Sequence, residues 1–482
     1  MEEPRELKRS LGLLDATSLV AGSMIGSGVF IVSSNMARDL GSAGWLIVAW
    51  LLTGIITLTA ALSYGELAGM MPHAGGQYVY IRRAFGKLPA FLYGWTVFAV
   101  IQTGMIAAVA MAFANYSSEL MPVFSMKHIL FSIGPISISM GQLLAVSLIV
   151  FLTFINTLGV KSGVGVQKVF TTAKLLALFG LIILGLFIGL KTNVFANNFS
   201  GAWTATRTIQ NSDGTITTTT ITGIVFISVF AMTMINSLFS SDAWNNVTFI
   251  AAEIKDPHRN IPRSLLLGTT IVTILYILAN LAYLALLPLK GDPHGVDVFS
   301  KGIQFAESSR VGTAAATMIF GNVATMMMAL LIMVSTFGCN NGIILSGARL
   351  YYAMGKDGLF FKKATILNQF NVPAWALWLQ CLWACLLCFS GTYNDLINYC
   401  TFASLIFYIV TIAGLFVLRK REPNTLRPYK ALGYPFLPAL YILAAGGICI
   451  ALLFLDTRNS GAGLIIVAFG LPIYFLQKFL KK

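Results

Sequence analysis

The chain has 482 residues, of which 57% are hydrophobic and 10% charged, with 32 Lys and Arg against 18 Asp and Glu. A soluble domain carries about 25% charged residues, so this composition argues against a water-facing surface of the ordinary kind. The net charge of +14 is divided among short segments between apolar runs, not gathered on the single basic face expected of a nucleic-acid-binding domain.

A bilayer core asks for about 20 apolar residues per helix, and such runs recur along the whole sequence. They do not alternate in the manner of barrel strands. Backbone groups in lipid must be paired internally, so the pattern predicts an all-α membrane protein. The start, MEEPRELKRS, is polar and charged; the first span is expected to act as its own insertion signal, with no signal peptide. Twelve spans are predicted, near 15–37, 45–71, 88–115, 129–155, 168–190, 220–253, 264–288, 313–354, 372–390, 396–418, 432–455 and 461–477. The eighth exceeds one bilayer crossing and is expected to project beyond it.

With both termini placed in the cytoplasm, 23 of the 32 basic residues fall in inner segments and 8 in outer ones; Lys174 lies inside a span. The inner set includes Arg5, Lys8 and Arg9 at the start, Arg419–Arg421 between the last spans, and Lys481 and Lys482 at the end. This bias supports the count and the orientation, and it explains the net charge by topology and anionic lipid. The outer segment 191–219, rich in Thr, Asn and Ser, is expected to be an exposed loop. Asn198-Phe199-Ser200 within it is a glycosylation sequon, relevant only in a secretory host. Segment 289–312 is expected to hold a short helix over an entrance.

Cys339, Cys381, Cys385, Cys388, Cys400 and Cys449 lie in or beside apolar spans without metal spacing and read as packing residues. No metal or other cofactor is expected. His73, His128, His258 and His294 all lie in loops, and no nucleophile–base pair is evident, so an intramembrane enzyme is disfavoured. A channel would want a polar face along several helices, whereas polarity here is concentrated at two places.

The first is Gly22-Ser23-Met24-Ile25-Gly26-Ser27-Gly28 in span one. Three glycines and two serines in seven residues weaken a helix, each Gly costing about 1 kcal/mol relative to Ala. Either the helix breaks and frees backbone groups at membrane depth, or Gly22 and Gly26 pack against a neighbouring helix. The second is Phe239-Ser240-Ser241-Asp242-Ala243-Trp244-Asn245-Asn246 in span six. An acid at the bilayer centre costs about 2.5–3.5 kcal/mol, so Asp242 marks either a polar packing site or a functional one. Spans one and six each open a unit of five spans. Interruptions at matching positions of two halves point to a transporter site at the interface of an inverted repeat. A half-helix N-terminus suits a carboxylate and a half-helix C-terminus suits an ammonium. The ligand that uses both is an α-amino acid.

Several motifs carry a family resemblance. They are Gly26-Ser27-Gly28-Val29-Phe30; Ser63-Tyr64-Gly65-Glu66-Leu67 with Pro72 and Gly75-Gly76-Gln77-Tyr78; Ala243-Trp244-Asn245 with Glu253 and Asp256-Pro257-His258-Arg259-Asn260-Ile261-Pro262; and Ser335-Thr336-Phe337-Gly338 with Asn341-Gly342 and Arg349-Leu350. The chain resembles the amino acid–polyamine–organocation superfamily, and within it the L-type amino acid transporter branch and its bacterial relatives. The resemblance implies a LeuT-like five-plus-five inverted repeat, spans 1–5 in residues 1–190 and spans 6–10 in 220–418, with two further helices in 419–482. It implies alternating access and sodium-independent exchange of neutral L-amino acids at the cell membrane, with proton coupling as the alternative. Backbone N–H groups of Ile25, Gly26, Ser27 and Gly28, helped by the Ser23 hydroxyl, would hold the substrate carboxylate. Carbonyls of Met24, Phe239 and Asp242 would hold the ammonium, the Phe239 ring would gate the site, and Ser240 and Ser241 would shape the side-chain pocket.

Lys174, in Thr171-Thr172-Ala173-Lys174, matches the family's fifth-span lysine and would bond carbonyls near Gly22 and Ser23. Its distance from the inner end, about 9–13 Å at 1.5 Å per residue, also allows snorkelling. Two departures stand out. The loop 116–128 lacks the cysteine that joins some relatives to a glycoprotein subunit, so no disulfide-linked heavy chain is expected. Asp242 replaces a frequent glycine, which resembles members that also take cationic amino acids or cystine.

Overall fold

The computed structural model describes residues 7–133, 136–210, 215–389 and 393–480. Arg5, Lys481, Lys482 and Ser390, at the edges of predicted segments, lie outside them. Among the described residues, ten helices are long and apolar enough to cross a membrane. Two shorter apolar helices, Leu13–Met24 and Ala374–Leu387, accompany them. The protein is a multi-pass membrane protein built of helices.

One helix shows how sequence sets the packing. In Val160–Gly189, Leu176, Phe179, Ile183 and Phe187 recur at helical spacing and stay exposed, as a lipid-facing stripe does. The opposite face buries Gln167, Thr171, Lys174, Leu178 and Leu181. Gly185 and Gly189 let it approach Pro257–Leu286 closely; a Cβ on Gly189 would lie 2.6 Å from the Ala285 backbone. Pro257–Leu286 in turn packs on Leu13–Met24 and Ala43–Met70, and Ala324–Lys356 packs on Gln102–Leu120 and Val160–Gly189.

Three expectations need correction. The span predicted at 129–155 begins instead with an antiparallel pair, Ile129–Ile133 with Ile136–Ser139, and its helix is Met140–Thr157. Ile-Leu-Phe-Ser-Ile favours strand through its branched and aromatic residues, and Ser139 then caps the helix by accepting the Gln142 N–H at 3.2 Å. Within the loop predicted at 191–219, helix Val194–Phe199 precedes an antiparallel pair, Thr206–Gln210 with Ile216–Thr220. Its threonines suit a strand as well as a loop. The long eighth span is divided at Gly321 (φ +62°) into Val311–Phe320 and Ala324–Lys356. Segment 289–312 does hold a short helix, Val298–Lys301.

The Asn198 amide donates to the Leu284 and Leu287 carbonyls at 2.7 and 2.9 Å, and its oxygen accepts the Leu289 N–H at 2.8 Å. The side chain thus caps the end of Pro257–Leu286, and a glycan attached to it would displace at least one of these N–H bonds.

Candidate functional site

The first interruption is a true end of helix. Leu13–Met24 stops where Ile25 turns to extended backbone (φ −78°, ψ 96°), and a short turn, Gly28–Phe30, precedes helix Val32–Leu40. The amides of Gly26, Ser27 and Gly28 thus lie between the last bond of the first helix, Ile25 N–H to Ala21, and the next turn. The packing alternative holds as well, for Gly22: a Cβ there would lie 2.0 Å from Gln167 Nε2 and 2.2 Å from Thr171 Oγ1.

The second interruption follows helix Gly223–Ser240. Ser241 caps it, the Asp242 N–H donates to the Phe239 carbonyl at 3.1 Å, and Ala243 takes a left-handed φ of 66° before the turn Asn246–Phe249. A left-handed non-glycine residue costs of order 1 kcal/mol and needs surrounding structure to hold it. Here Trp244 is wedged edge-on against Tyr64 (4.8 Å between centroids) and lies tilted against Tyr408 (5.3 Å).

The two interruptions touch. A Cβ on Gly28 would meet the Ser240 Oγ at 2.3 Å and its Cα at 3.1 Å. Only a residue without a side chain permits that approach.

Other helices serve the freed carbonyls of the first break. Lys174 is buried and does not snorkel; its Nζ donates to Gly22 O at 2.5 Å and Ile25 O at 2.6 Å, with Ser335 O at 3.4 Å. The expected partner Ser23 O is taken instead by the Cys339 thiol at 2.9 Å. Ser335 Oγ reaches Ile25 O and Gly26 O at 3.1 and 3.0 Å. The Tyr276 hydroxyl stands between the breaks, 3.1 Å from Met24 O and 3.0 Å from Ser240 O. Ser23 Oγ has no partner among the described residues.

The Asp242 side chain bonds to Tyr408. Its Oδ1 accepts the Tyr408 hydroxyl at 2.5 Å, and small cavities of about 20 and 10 Å³ meet it on two sides. Each is about the size of one water, and neither would hold an amino acid. Ser241 and Ser404 line the first, and Gln77, Tyr93 and Asn245 the second. The Phe239 ring is buried.

Hydrogen bonds tie neighbouring segments together on both flanks of the breaks. On the side of the chain start, Ser10 and Leu11 N–H groups donate to Glu253 O at 2.9 and 3.0 Å, and Lys255 N–H returns to Leu11 O at 2.8 Å. The Glu253 carboxylate pairs with Arg349 at 2.8 Å, fully buried. On the opposite side Arg38 donates to Gln304 O at 2.6 Å, and Gln304 Nε2 donates to Ala37 O at 3.0 Å.

All ten predicted binding positions therefore lie in the two breaks, and Lys174 lies on the first. Tyr276, Tyr408, Ser335 and Cys339 were not among the predicted site residues. Tyr276 had a signal: Thr269, Tyr276 and Asn280 form a polar stripe at helical spacing in an otherwise apolar run. Tyr408 had none.

Comparison with known proteins decides the family. An amino acid permease family model matches residues 11–475. The chain belongs to the amino acid permease family. This permease is 31% identical over 474 residues to the mouse large neutral amino acids transporter small subunit 2, covering 98% of this chain and 81% of the mouse protein. It is 29% identical over 479 residues to the serine/threonine exchanger SteT of Bacillus subtilis (strain 168), covering 99% and 98%. It is 29% identical over 447 residues to the mouse b(0,+)-type amino acid transporter 1, covering 91% and 81%. The permease is thus a member of the amino acid–polyamine–organocation superfamily, in its L-type branch, and these relatives are transporters, not enzymes.

Proposed function

We propose that the chain is a sodium-independent exchanger of neutral L-amino acids in the cell membrane, working by alternating access. The observation that carries this reading is the Lys174 ammonium seated on the Gly22 and Ile25 carbonyls. A fixed cation at the first break supplies the charge that a sodium ion would otherwise bring. The fold behind the reading has twelve spans. Residues 1–190 and 220–418 form two inverted units of five, 191–219 an outer segment, and 419–482 two added helices; both termini lie in the cytoplasm. Amides from Ile25 to Gly28, with Ser23 Oγ, hold the carboxylate. The Met24, Phe239 and Asp242 carbonyls hold the ammonium. Phe239 gates the site, and Ser240, Ser241 and Asp242 face the substrate side chain. Asp242 extends acceptance to cationic amino acids or cystine. No disulfide-linked subunit takes part, loop 116–128 having no cysteine.

The test is counterflow of labelled amino acid into proteoliposomes. Uptake should require internal amino acid and persist when choline replaces sodium. A sodium requirement would contradict the role given to Lys174. A pH gradient that drives accumulation without internal substrate would replace exchange by proton coupling. In a competition panel, Asp242→Gly should keep neutral transport and lose cationic or cystine competition.

A further inference from the structure

A cavity of about 860 Å³ opens on the side where residues 10–11 meet Glu253. Cations reach it from separate stretches of chain: Arg9 from the segment before Ser10, Arg82 from helix Gln77–Phe85 and Lys356 from the end of Ala324–Lys356, with the His73 ring beside them. One carboxylate, Asp357, shares the space and is already committed. It pairs with Arg82 at 2.6 Å and accepts the Tyr78 hydroxyl at 2.8 Å. Among the described residues neither Arg9 nor Lys356 has an acid partner; the Lys356 ammonium stands 5.5 Å from the centre of the Tyr352 ring. Among the described residues the cavity therefore carries an excess of two positive charges, from Arg9 and Lys356. A zwitterionic amino acid does not answer that excess. A phosphate group does: its charge and its oxygens suit a guanidinium fork and an ammonium together.

We propose that this cavity binds a phosphate-bearing anion and that occupancy holds this side of the carrier shut. Arg9 directly precedes Ser10 and Leu11, whose amides bond the Glu253 carbonyl. Lys356 lies about two turns beyond Arg349, whose guanidinium bonds the Glu253 carboxylate. A phosphate spanning Arg9 and Lys356 ties together the same two elements that Glu253 ties, from the water side. The phosphate comes either from the headgroup of an anionic phospholipid in the adjacent leaflet or from a soluble phosphate.

The binding claim is independent of the exchanger reading; only the slowing of transport rests on it. The test uses the purified full chain in detergent. Melting is followed against sodium phosphate, with sodium chloride at matched ionic strength as control, and in mixed micelles containing phosphatidylglycerol or phosphatidylcholine. The melting temperature should rise with phosphatidylglycerol, and with inorganic phosphate too if the ligand is soluble. In Arg9→Gln/Lys356→Gln the half-saturating concentration should increase by about tenfold or more. Both positions are exposed, so each single variant is read beside the double as a check on folding. No rise with either ligand, or an identical titration in the double variant, overturns the proposal. In proteoliposomes the same ligand should slow counterflow of the wild type and not of the double variant. Absence of any counterflow would refute the exchanger reading and leave the melting result standing.

Discussion

Five consecutive carbonyls, from Gly22 to Gly26, turn towards side chains of three other helices: Lys174, Cys339, Tyr276 and Ser335. An unsatisfied backbone group at this depth costs several kcal/mol, so these donors are what allow the helix to stop there. Lys174 carries the largest share because it alone is charged. Lys174→Ala should cut counterflow by about a hundredfold, ~3 kcal/mol for two charge-assisted bonds, with the protein still eluting as a folded species on size exclusion. Tyr408→Phe removes the donor from Asp242 Oδ1. Competition by lysine or arginine should then strengthen while neutral exchange persists; unchanged competition would separate Asp242 from the substrate side chain. The Lys174 position was legible from its motif and from the need of a buried ammonium for acceptors. Its second partner was not: Ile25 O enters its reach only because the chain turns extended at Ile25, a backbone event that residue types alone do not fix.

At the scale of elements, the two breaks meet through Gly28 and Ser240. Gly28→Ala puts a carbon within 2.3 Å of one atom and 3.1 Å of another, and overpacking of this kind costs about 1–3 kcal/mol. Counterflow should fall several-fold more than the melting temperature would suggest, since the cost falls on the closed arrangement. Glycine spacing made the first break readable only as one of two alternatives, and both hold: Gly22 packs on Gln167 and Thr171 while the backbone opens beyond Met24. Apolar length located the helices because lipid demands it. It misread 129–139 because a short apolar run with branched residues serves strand and helix alike. Tyr408 was invisible since nothing local marks which of sixteen tyrosines will face an acid from another helix.

Across the whole molecule, the contact between the chain start and Glu253 is backed by a buried ion pair. Removing one partner of such a pair costs about 3–5 kcal/mol, because the other charge stays buried and alone. Arg349→Ala should therefore lower the melting temperature of the purified protein markedly, whereas Arg83→Ala, whose pair with Glu422 is largely exposed, should leave it nearly unchanged. Equal effects would mean that burial of the Glu253–Arg349 pair is not what stabilises this contact. On the opposite side the Arg38 guanidinium meets the Gln304 carbonyl, a neutral acceptor, and the nearby Arg310–Glu119 pair is only partly buried.

The Tyr276 hydroxyl has one proton and two carbonyls to serve, Met24 O and Ser240 O, at nearly equal distances. At any instant one of them is short of a donor. If the site binds as proposed, a substrate ammonium would bring three donors to a place that is one short, and its entry would complete a set of bonds already begun. On that reading the site would be prepared for the substrate's charge by its hydrogen bonding, ahead of any space for its volume.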